Sequence, residues 1–426
     1  MATIRPATRG EIERAAVISC EALQSPSLDP YLNSFTWVAD NYGLEFVIVA
    51  EVDGKLVSSL VCTPGQVMLK ADIVPLCAIG GVATMTEYRR FGYAGLMMEE
   101  SVRTLARNGY HTSALWPFSY HYYRKYGWEI GSEQRRYVTP SELAADMASP
   151  DGVRPAGESD LPGISRLIDR FARRHNCVSV RDERWWSLIK TTYSLQCDAN
   201  DDLRASLAPL VHEADGNTGR YPMRAVPSLR FTMWVHETDC EIDGYAFFRI
   251  TGEGEDEQVD IREMIADTSA ARAAILSRLS SAAPRIGFDA PLDDDFLQEI
   301  PNPRMVDARL QGGFQFRVFD PIAALEARGA NSAVTGRLGL EIEDPTLGRF
   351  DFDIEIGEGR FTRCESKSPD RLRMSVQTFA QLYSGYLTAT RASDLGRVTA
   401  TSQRALSVAD AMFHSAVPFR SHLEIG

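Results

Sequence analysis

At roughly 100–200 residues per domain, a chain of 426 residues holds about three domains, each able to bury a core. Apolar residues at 44% and charged residues at 24% are ordinary for a globular protein. The net charge of −13 argues against nucleic acid as a partner, because binding phosphates needs a basic face, and it suits a cationic substrate better.

The seven cysteines (Cys20, Cys62, Cys77, Cys177, Cys197, Cys240 and Cys364) are odd in number and scattered, with no C-x-x-C pair. That pattern favours free thiols in a reducing compartment, with neither a disulfide framework nor a zinc site, so no metal is expected. MATIRPATRG has no apolar signal region, and no apolar run is long enough to span a membrane. A cytoplasmic protein without a membrane partner is the expectation.

Taken in order, residues 2–5 read as a short strand ended by Pro6. Thr8 and Glu11 form a capping-box pattern, and Ile12, Ala15, Ala16, Ser19 and Leu23 mark the inner face of the helix that follows. Trp37 falls in a second helical segment. Residues 46–51 and 55–62 alternate around Asp53-Gly54, a strong hairpin signal, and residues 66–71 read as another strand. Next comes an apolar strand at 79–84, a polar turn, and a loop with Arg89, Arg90 and Gly92 that opens a helix over about residues 91–106. Met98, Val102 and Leu105 give that helix an inner face, and Gly109 reads as its stop.

Such a helix start suits an anion, because its first N–H groups lack intrahelical partners and lie at the positive end of the dipole. Gly92 lets a pyrophosphate approach the N–H groups of Gly92, Tyr93, Ala94 and Gly95, while Arg89 and Arg90 can add charge-assisted bonds. A second strand, 113–116, leads into the aromatic run Tyr120, Tyr122, Tyr123, Tyr126 and Trp128.

These motifs resemble the GNAT acyl-CoA N-acyltransferases. Arg89, Gly92 and Ala94 match the family's R-x-x-G-x-A/G loop, and YYRKYGW matches its tyrosine segment, with Tyr123 as the tyrosine. The loop by itself is a weak signal, but strand, loop, helix, strand and tyrosine segment in this order are much stronger.

VRPAGESDLPGISRL from Val153 mimics IRPATRGEIERAAVI from Ile4, which implies a second copy of the fold over about residues 151–312. Where that copy should carry its phosphate loop it has REMIADTSAARAAILSRL, with Asp267 and no glycine, so it is expected to bind no coenzyme. From residue 313 a third composition begins, with alternating strands and a helix over 377–388 that read as an α+β module. Its Asp320, Pro321 and Ala-Leu-Glu-Ala-Arg-Gly string (324–329) resembles the Eis (enhanced intracellular survival) group of acetyltransferases, and the resemblance covers essentially the whole chain, loosest over 184–229. It implies α/β and α+β architecture: two tandem GNAT-like domains (1–150 and 151–312) followed by a sterol-carrier-protein-like domain (313–426).

The resemblance further implies an acetyl-CoA-dependent N-acetyltransferase acting on aminoglycoside-like or lysine-like amines, and a hexameric assembly. Val82, Ala83 and Thr84 would face the pantetheine arm, residues 89–95 with Phe91 would wrap the pyrophosphate, and Phe118 and Ser119 would complete the coenzyme site. Tyr123 would protonate the departing thiolate. The chain's terminal carboxylate, here Gly426, would take the amine proton; the family typically ends on an aromatic residue, and since Ile425 falls at that position, Glu424 or His422 could substitute. Trp37 would be a wall of an acidic substrate pocket. Two rival classes stay open at this point: a non-enzymatic acyl-CoA-binding regulator and a lipid carrier.

Overall fold

The computed structural model describes residues 2–25, 27–69, 72–193, 231–252, 254–330, 332–413 and 416–424, and structural statements below concern these. In the first sheet, Thr3–Pro6 pairs with Val47–Val52, which turns through Asp53 and Gly54 into Lys55–Leu69, and that strand pairs with Asp72–Thr84. The last two are longer than the alternation indicated. Residues 55–62 and 66–69 are one strand, because Pro64 and Gly65, which interrupt the apolar pattern, stay in the ladder opposite Cys77 and Leu76.

The capping box forms as expected. The Thr8 N–H donates to Glu11 Oε2 at 2.7 Å, and the helix Ile12–Ala22 follows. Ile12, Ala15, Ala16 and Ser19 are buried, joined by Ile18. Leu23 departs from expectation: it lies beyond the helix end, 46% exposed, at the rim of a cleft.

The internal repeat is visible in a shared clamp. Arg5 bridges Glu11 and Glu51 at 2.8 and 2.5 Å, and Arg154 bridges Asp160 and Glu237 at 2.7 and 2.6 Å. In both copies the arginine of Arg-Pro-Ala thereby ties the first strand to a helix start and to the neighbouring strand of its own sheet. The copies also exchange a strand. Gln315–Val318 fills the place between Thr112–Leu115 and Glu129–Ile130 in the first sheet. Reciprocally, Glu133–Pro140 lies between Arg285–Ala290 and Asp307–Gly312 in the second. The sheets therefore interlock across the chain positions near 150 and 312.

The C-terminal module is a five-stranded sheet covered by the helices Val376–Ser384 and Gln403–Phe413 through Phe379, Leu382, Leu406 and Met412. Its first helix stops earlier than expected, because Gly385 takes a left-handed conformation after Ser384. The Ala-Leu-Glu-Ala-Arg-Gly string is structural. Asp320 accepts the N–H groups of Ile322 and Ala323 at 3.0 Å each, capping Pro321–Ala327, and buried Arg328 donates to the Tyr383 and Phe413 carbonyls.

A buried ion pair joins this module to the tyrosine segment. Arg317 and Asp344, both with fully buried side chains, meet at 2.7 Å, and the other guanidinium nitrogen donates to the Tyr126 carbonyl. Removing one partner of a buried pair leaves an uncompensated charge and costs about 3–5 kcal/mol. Asp344→Ala is therefore expected to lower stability by that amount, read as a clear drop in Tm by calorimetry; an unchanged Tm would contradict the role given to this pair.

Candidate functional site

The site begins where two parallel strands part. Asp72–Thr84 and Thr112–Leu115 pair only over Leu76 to Ala78 with Thr112 to Ala114, and beyond Ala78 the first strand runs on to Thr84 without that neighbour. A register shift opposite Ser59 and Val61 bends it there. The opening is filled by a cleft of about 790 Å³ whose walls include Val82, Ala83, Thr84, Arg90, Gly92, Ala94, Gly95, Phe118 and Tyr122. Strand edges left unpaired offer N–H and C=O groups that the amides of a pantetheine arm can satisfy.

At the cleft's end stands the helix Tyr93–Arg107. It is packed on the sheet through the buried Met98, Val102 and Leu105 and ends before Gly109, as the sequence indicated. Its ladder starts with the Leu96 N–H donating to the Gly92 carbonyl at 3.1 Å, so the N–H groups of Tyr93, Ala94 and Gly95 precede it. Gly92 caps it with φ of +87°, a conformation that disfavours side chains, and a Cβ there would meet nothing within 4 Å, which leaves the space to a ligand. Gly95 serves another need, because a Cβ there would strike the Tyr126 hydroxyl.

The two arginines divide their work. Arg89 lines the cleft but spends its guanidinium on carbonyls, at 3.2 Å from Thr84 and 3.1 Å from Ala22, which fixes the loop. Arg90 is exposed at φ of +69°. Phe91 is exposed and stacks on Tyr93. Ser119 does not line the cleft; it caps the helix Tyr120–Arg124 by accepting the Tyr122 N–H.

A second cavity of about 390 Å³ adjoins the first and shares Leu23, Val82 and Phe118 with it. Tyr123, His422 and Glu424 all line it, beside Phe35, Trp116 and Tyr193. Tyr123 is 3% exposed, edge-on to Phe118 and Tyr122, and burial pushes its pKa up. The other tyrosines of the run are placed differently: the Tyr120 hydroxyl donates to the Gly313 carbonyl, and Tyr122 and Tyr126 line the first cleft. Thr63 Oγ1, Thr192 Oγ1 and Trp116 Nε1, all on this second cavity, are buried without a hydrogen-bond partner among the described residues, so a bound molecule or water is needed to satisfy them.

Trp37 does not join this group. Its indole packs at 5.7 Å from the Tyr42 ring, donates to Ser187 Oγ at 3.3 Å, and lines a separate cavity of about 310 Å³. Gly426 lies outside the described residues, as do Ile425 and Cys197. Glu424 is present but not free. Its carboxylate meets Arg181 at 2.9 Å, Arg420 at 3.2 Å and the Ser179 N–H at 3.2 Å. Burial alone would raise its pKa, but these partners hold it below the ordinary carboxylate value.

His422 stacks on Trp116 with ring centroids 4.2 Å apart. Its Nε2 lies 3.3 Å from Asp289 Oδ2 and 3.2 Å from the Gln134 side-chain amide. Burial, reinforced by Arg262 and Arg136, pushes its pKa down to about 4, so the imidazole is neutral at pH 7. Burial likewise pushes Asp289 up to about 6.

The corresponding place in the second copy is differently furnished. Gln258–Ala266 and Arg285–Ala290 also pair in parallel only at their start, up to Ile261 with Phe288. The helix that follows, Ser269–Leu279, is capped by Thr268, and Asp267 beside it is held by Arg170 and Arg174 at 2.5 and 3.1 Å. Trp116, Arg181, Glu263 and Asp289 were not singled out from the sequence. Only Trp116 carried a local signal, its position at the end of a predicted strand; the others are defined by contacts more than 80 residues away in the chain.

Comparison with known proteins agrees with this geometry. Residues 3–131 and 220–318 match acetyltransferase (GNAT) domains, and residues 321–421 match a sterol carrier protein domain. The chain is 26% identical over 373 residues to an uncharacterized N-acetyltransferase of Streptomyces griseus, covering 79% of each, and 26% identical over 362 residues to one of Streptomyces avermitilis, covering 80% of this chain and 79% of that one. Among solved structures it shares its fold with a GCN5-related N-acetyltransferase from Anabaena variabilis (TM-score 0.78, 18% identity, 98% of both chains). It shares it also with Eis1 from Mycobacterium abscessus (TM-score 0.71, 18% identity, 98% of this chain and 99% of that one). The chain therefore belongs to the GNAT N-acetyltransferases, in the Eis-like arrangement of two such domains and a sterol-carrier-protein-like module.

Proposed function

We propose that the first domain, within residues 1–150, carries the acetyl group of acetyl-CoA to a primary amine by direct attack, that the second (151–312) binds no coenzyme, and that the third (313–426) delivers acceptor-side groups. The observation that carries this reading is the common wall of the two cavities. A thioester laid along Val82 to Thr84 would end at Phe118, where the second cavity begins. The nitrogen lone pair adds to the carbonyl carbon, the carbon–sulfur bond breaks, the thiolate takes its proton from the Tyr123 hydroxyl, the nitrogen sheds its extra proton, and solvent restores the tyrosine's, so that amide and free thiol are the products. Burial keeps that hydroxyl protonated, so the donor is loaded at neutral pH.

The amine must arrive neutral or lose a proton. Gly426, whose carboxylate the family resemblance assigns to this task, is two residues past Glu424, a reach of about 7 Å. Among the described residues the available acceptor is the neutral His422 imidazole, whose Nε2 stands 3.2 Å from the Gln134 amide nitrogen and 3.3 Å from Asp289 Oδ2. The acidic overall charge and the family resemblance support a cationic acceptor, lysine-like or aminoglycoside-like. Within the cavity, however, the one lining carboxylate among the described residues, Glu424, is matched by two arginines, so the attacking nitrogen meets no free negative charge.

The test is thiol release from acetyl-CoA over a panel of amines. Tyr123→Phe is expected to lower kcat by about 100-fold and leave acetyl-CoA affinity within twofold by calorimetry, and unchanged turnover would remove the assignment. Arg90→Met is expected to weaken acetyl-CoA by about tenfold, more at low salt than at high, with Tm unaltered, since an exposed guanidinium contributes by charge. Arg89→Met should lower Tm as well, because its bonds hold the loop.

His422 generates a pH prediction. Its pKa is about 4 in the folded chain against an ordinary value near 6.5, so the folded state resists protonation. Its contribution is intact above about pH 6.5 and is lost as pH falls toward 4. A His422→Gln variant should therefore lose less Tm than the parent between pH 7 and pH 5, and parallel curves would count against a buried neutral imidazole.

A further inference from the structure

The second copy keeps the parted strands of the first, and their lips meet the chain's own C-terminal segment. Its strand pairing stops at Ile261 with Phe288, and the next inward residues on the two lips are Glu263 and Asp289. Both side chains are buried, and both are turned to the chain's own C-terminal segment. Glu263 accepts a hydrogen bond from the Ser421 hydroxyl and another from the Tyr245 hydroxyl of its own sheet. Asp289 stands 3.3 Å from His422 Nε2. Between them Arg181, fully buried and stacked 3.5 Å over the Trp185 ring, joins Glu263 at 2.7 Å to Glu424 at 2.9 Å.

The same segment is held along its length. The Phe419 N–H donates to the Asn176 carbonyl at 2.8 Å, Arg420 donates to the Cys177 carbonyl at 3.2 Å, and the Phe419 ring packs on Phe171. Its other face meets the first domain, where His422 lies on Trp116 at the mouth of that domain's own strand opening.

We propose that the second acetyltransferase domain is a receptor for the C-terminal segment, with Glu263 and Asp289 as positioning residues that set Ser421, His422 and Glu424 against the acceptor cavity. The segment meets the lips at Glu263 and Asp289, while a cavity of about 340 Å³ lined by Met264, Ala266, Thr268 and Pro291 stays open beside the helix start. Four groups make the bound state specific: two carboxylates on the lips, the Arg181 bridge, and the imidazole between Asp289 and Trp116. Isolated buried charges would be strongly disfavoured here, so the segment and the lips are each other's condition for burial. The kinetic consequence rests on the acetyl-transfer reading above; the docking itself does not.

The experiment uses the full chain with Glu263→Gln and Asp289→Asn, which keep shape and remove charge, and has two independent readouts. The first is release of C-terminal residues by a carboxypeptidase, followed by mass spectrometry. Both variants are expected to release residues 417–424 at least five times faster than the parent, with Tm of the main transition held. The second is thiol release with the best amine of the panel. We expect kcat reduced ten- to a hundredfold, acetyl-CoA affinity within twofold, and for Asp289→Asn a displaced acid limb of the kcat profile. The groups facing His422 in that profile are Asp289 and Arg136 on neighbouring strands of the second sheet, and Asp260 and Arg262 on Gln258–Ala266. Unchanged protection of the segment overturns the receptor; faster release with unaltered kcat overturns the positioning role. If no amine supports turnover in the parent, acetyl transfer fails while the protection assay still decides the docking.

Discussion

Three residue pairs hold the strand Asp72–Thr84 to the strand Thr112–Leu115, and the end of that pairing at Ala78 and Ala114 is the constraint on which the site depends. A strand that continued beside its partner would leave no room for a coenzyme and no edge to bind it. The opening puts Val82 to Thr84 on one wall and Trp116 to Phe118 on the other, and it lets the amides ahead of Leu96 close the far end. Neither wall could stay apart unaided, since unpaired buried backbone is costly. What keeps the second wall in place is Gln315–Val318, a strand just past residue 312, inserted beside Thr112–Leu115.

That insertion explains why the chain's three parts act as one. Arg317 on the inserted strand reaches the Tyr126 carbonyl and pairs with Asp344 of the C-terminal sheet, while Gln377 and Gln381 of the first C-terminal helix donate to the carbonyls of Arg124 and Ile130 at 2.9 and 3.2 Å. The tyrosine segment is thus clamped by residues about 190 to 250 positions away. Buried charge adds little net stability compared with apolar packing, but it penalises every arrangement in which the partners are separated. Here that penalty fixes the orientation of one domain on the next.

Much of the first domain was legible because its signals are local. The Thr8–Glu11 cap, the Asp53-Gly54 turn, the inner face of Tyr93–Arg107 and the left-handed Gly92 each follow from neighbours a few residues apart. The repeat at Val153 was legible for the same reason, and its Arg154 clamp reproduces that of Arg5. The strand exchange was not, because Glu133–Pro140 and Gln315–Val318 alternate equally well for either sheet, and pairing is decided by tertiary fit. Trp37 shows a related limit: an indole on a helix face reads the same whether it meets a substrate or packs within the protein, and here it contacts Tyr42 and Ser187 and lines a cavity apart from Tyr123. Arg89 reads from the sequence as a phosphate ligand, and its two carbonyl partners, which lie 5 and 67 residues away, appear only in the fold.

Desolvation acts in opposite senses on two groups that line the second cavity, Tyr123 and His422. For a phenol, burial disfavours the charged form by keeping the proton on; for an imidazole it does so by keeping the proton off. In the reaction proposed above Tyr123 is therefore protonated and the His422 imidazole unprotonated around neutrality, and the same shifts make the phenol a weaker acid and the imidazole a weaker base than either is in water. An ion pair at the same positions would have locked both protons in place. Arg181 and Arg420 are turned to Glu263 and Glu424, where they hold the C-terminal segment and match the cavity's lining carboxylate, and Thr63, Thr192 and the Trp116 indole are the lining polar groups without a partner among the described residues. A cavity furnished in this way favours the neutral form of an amine over its ammonium, which is the form that can attack a thioester.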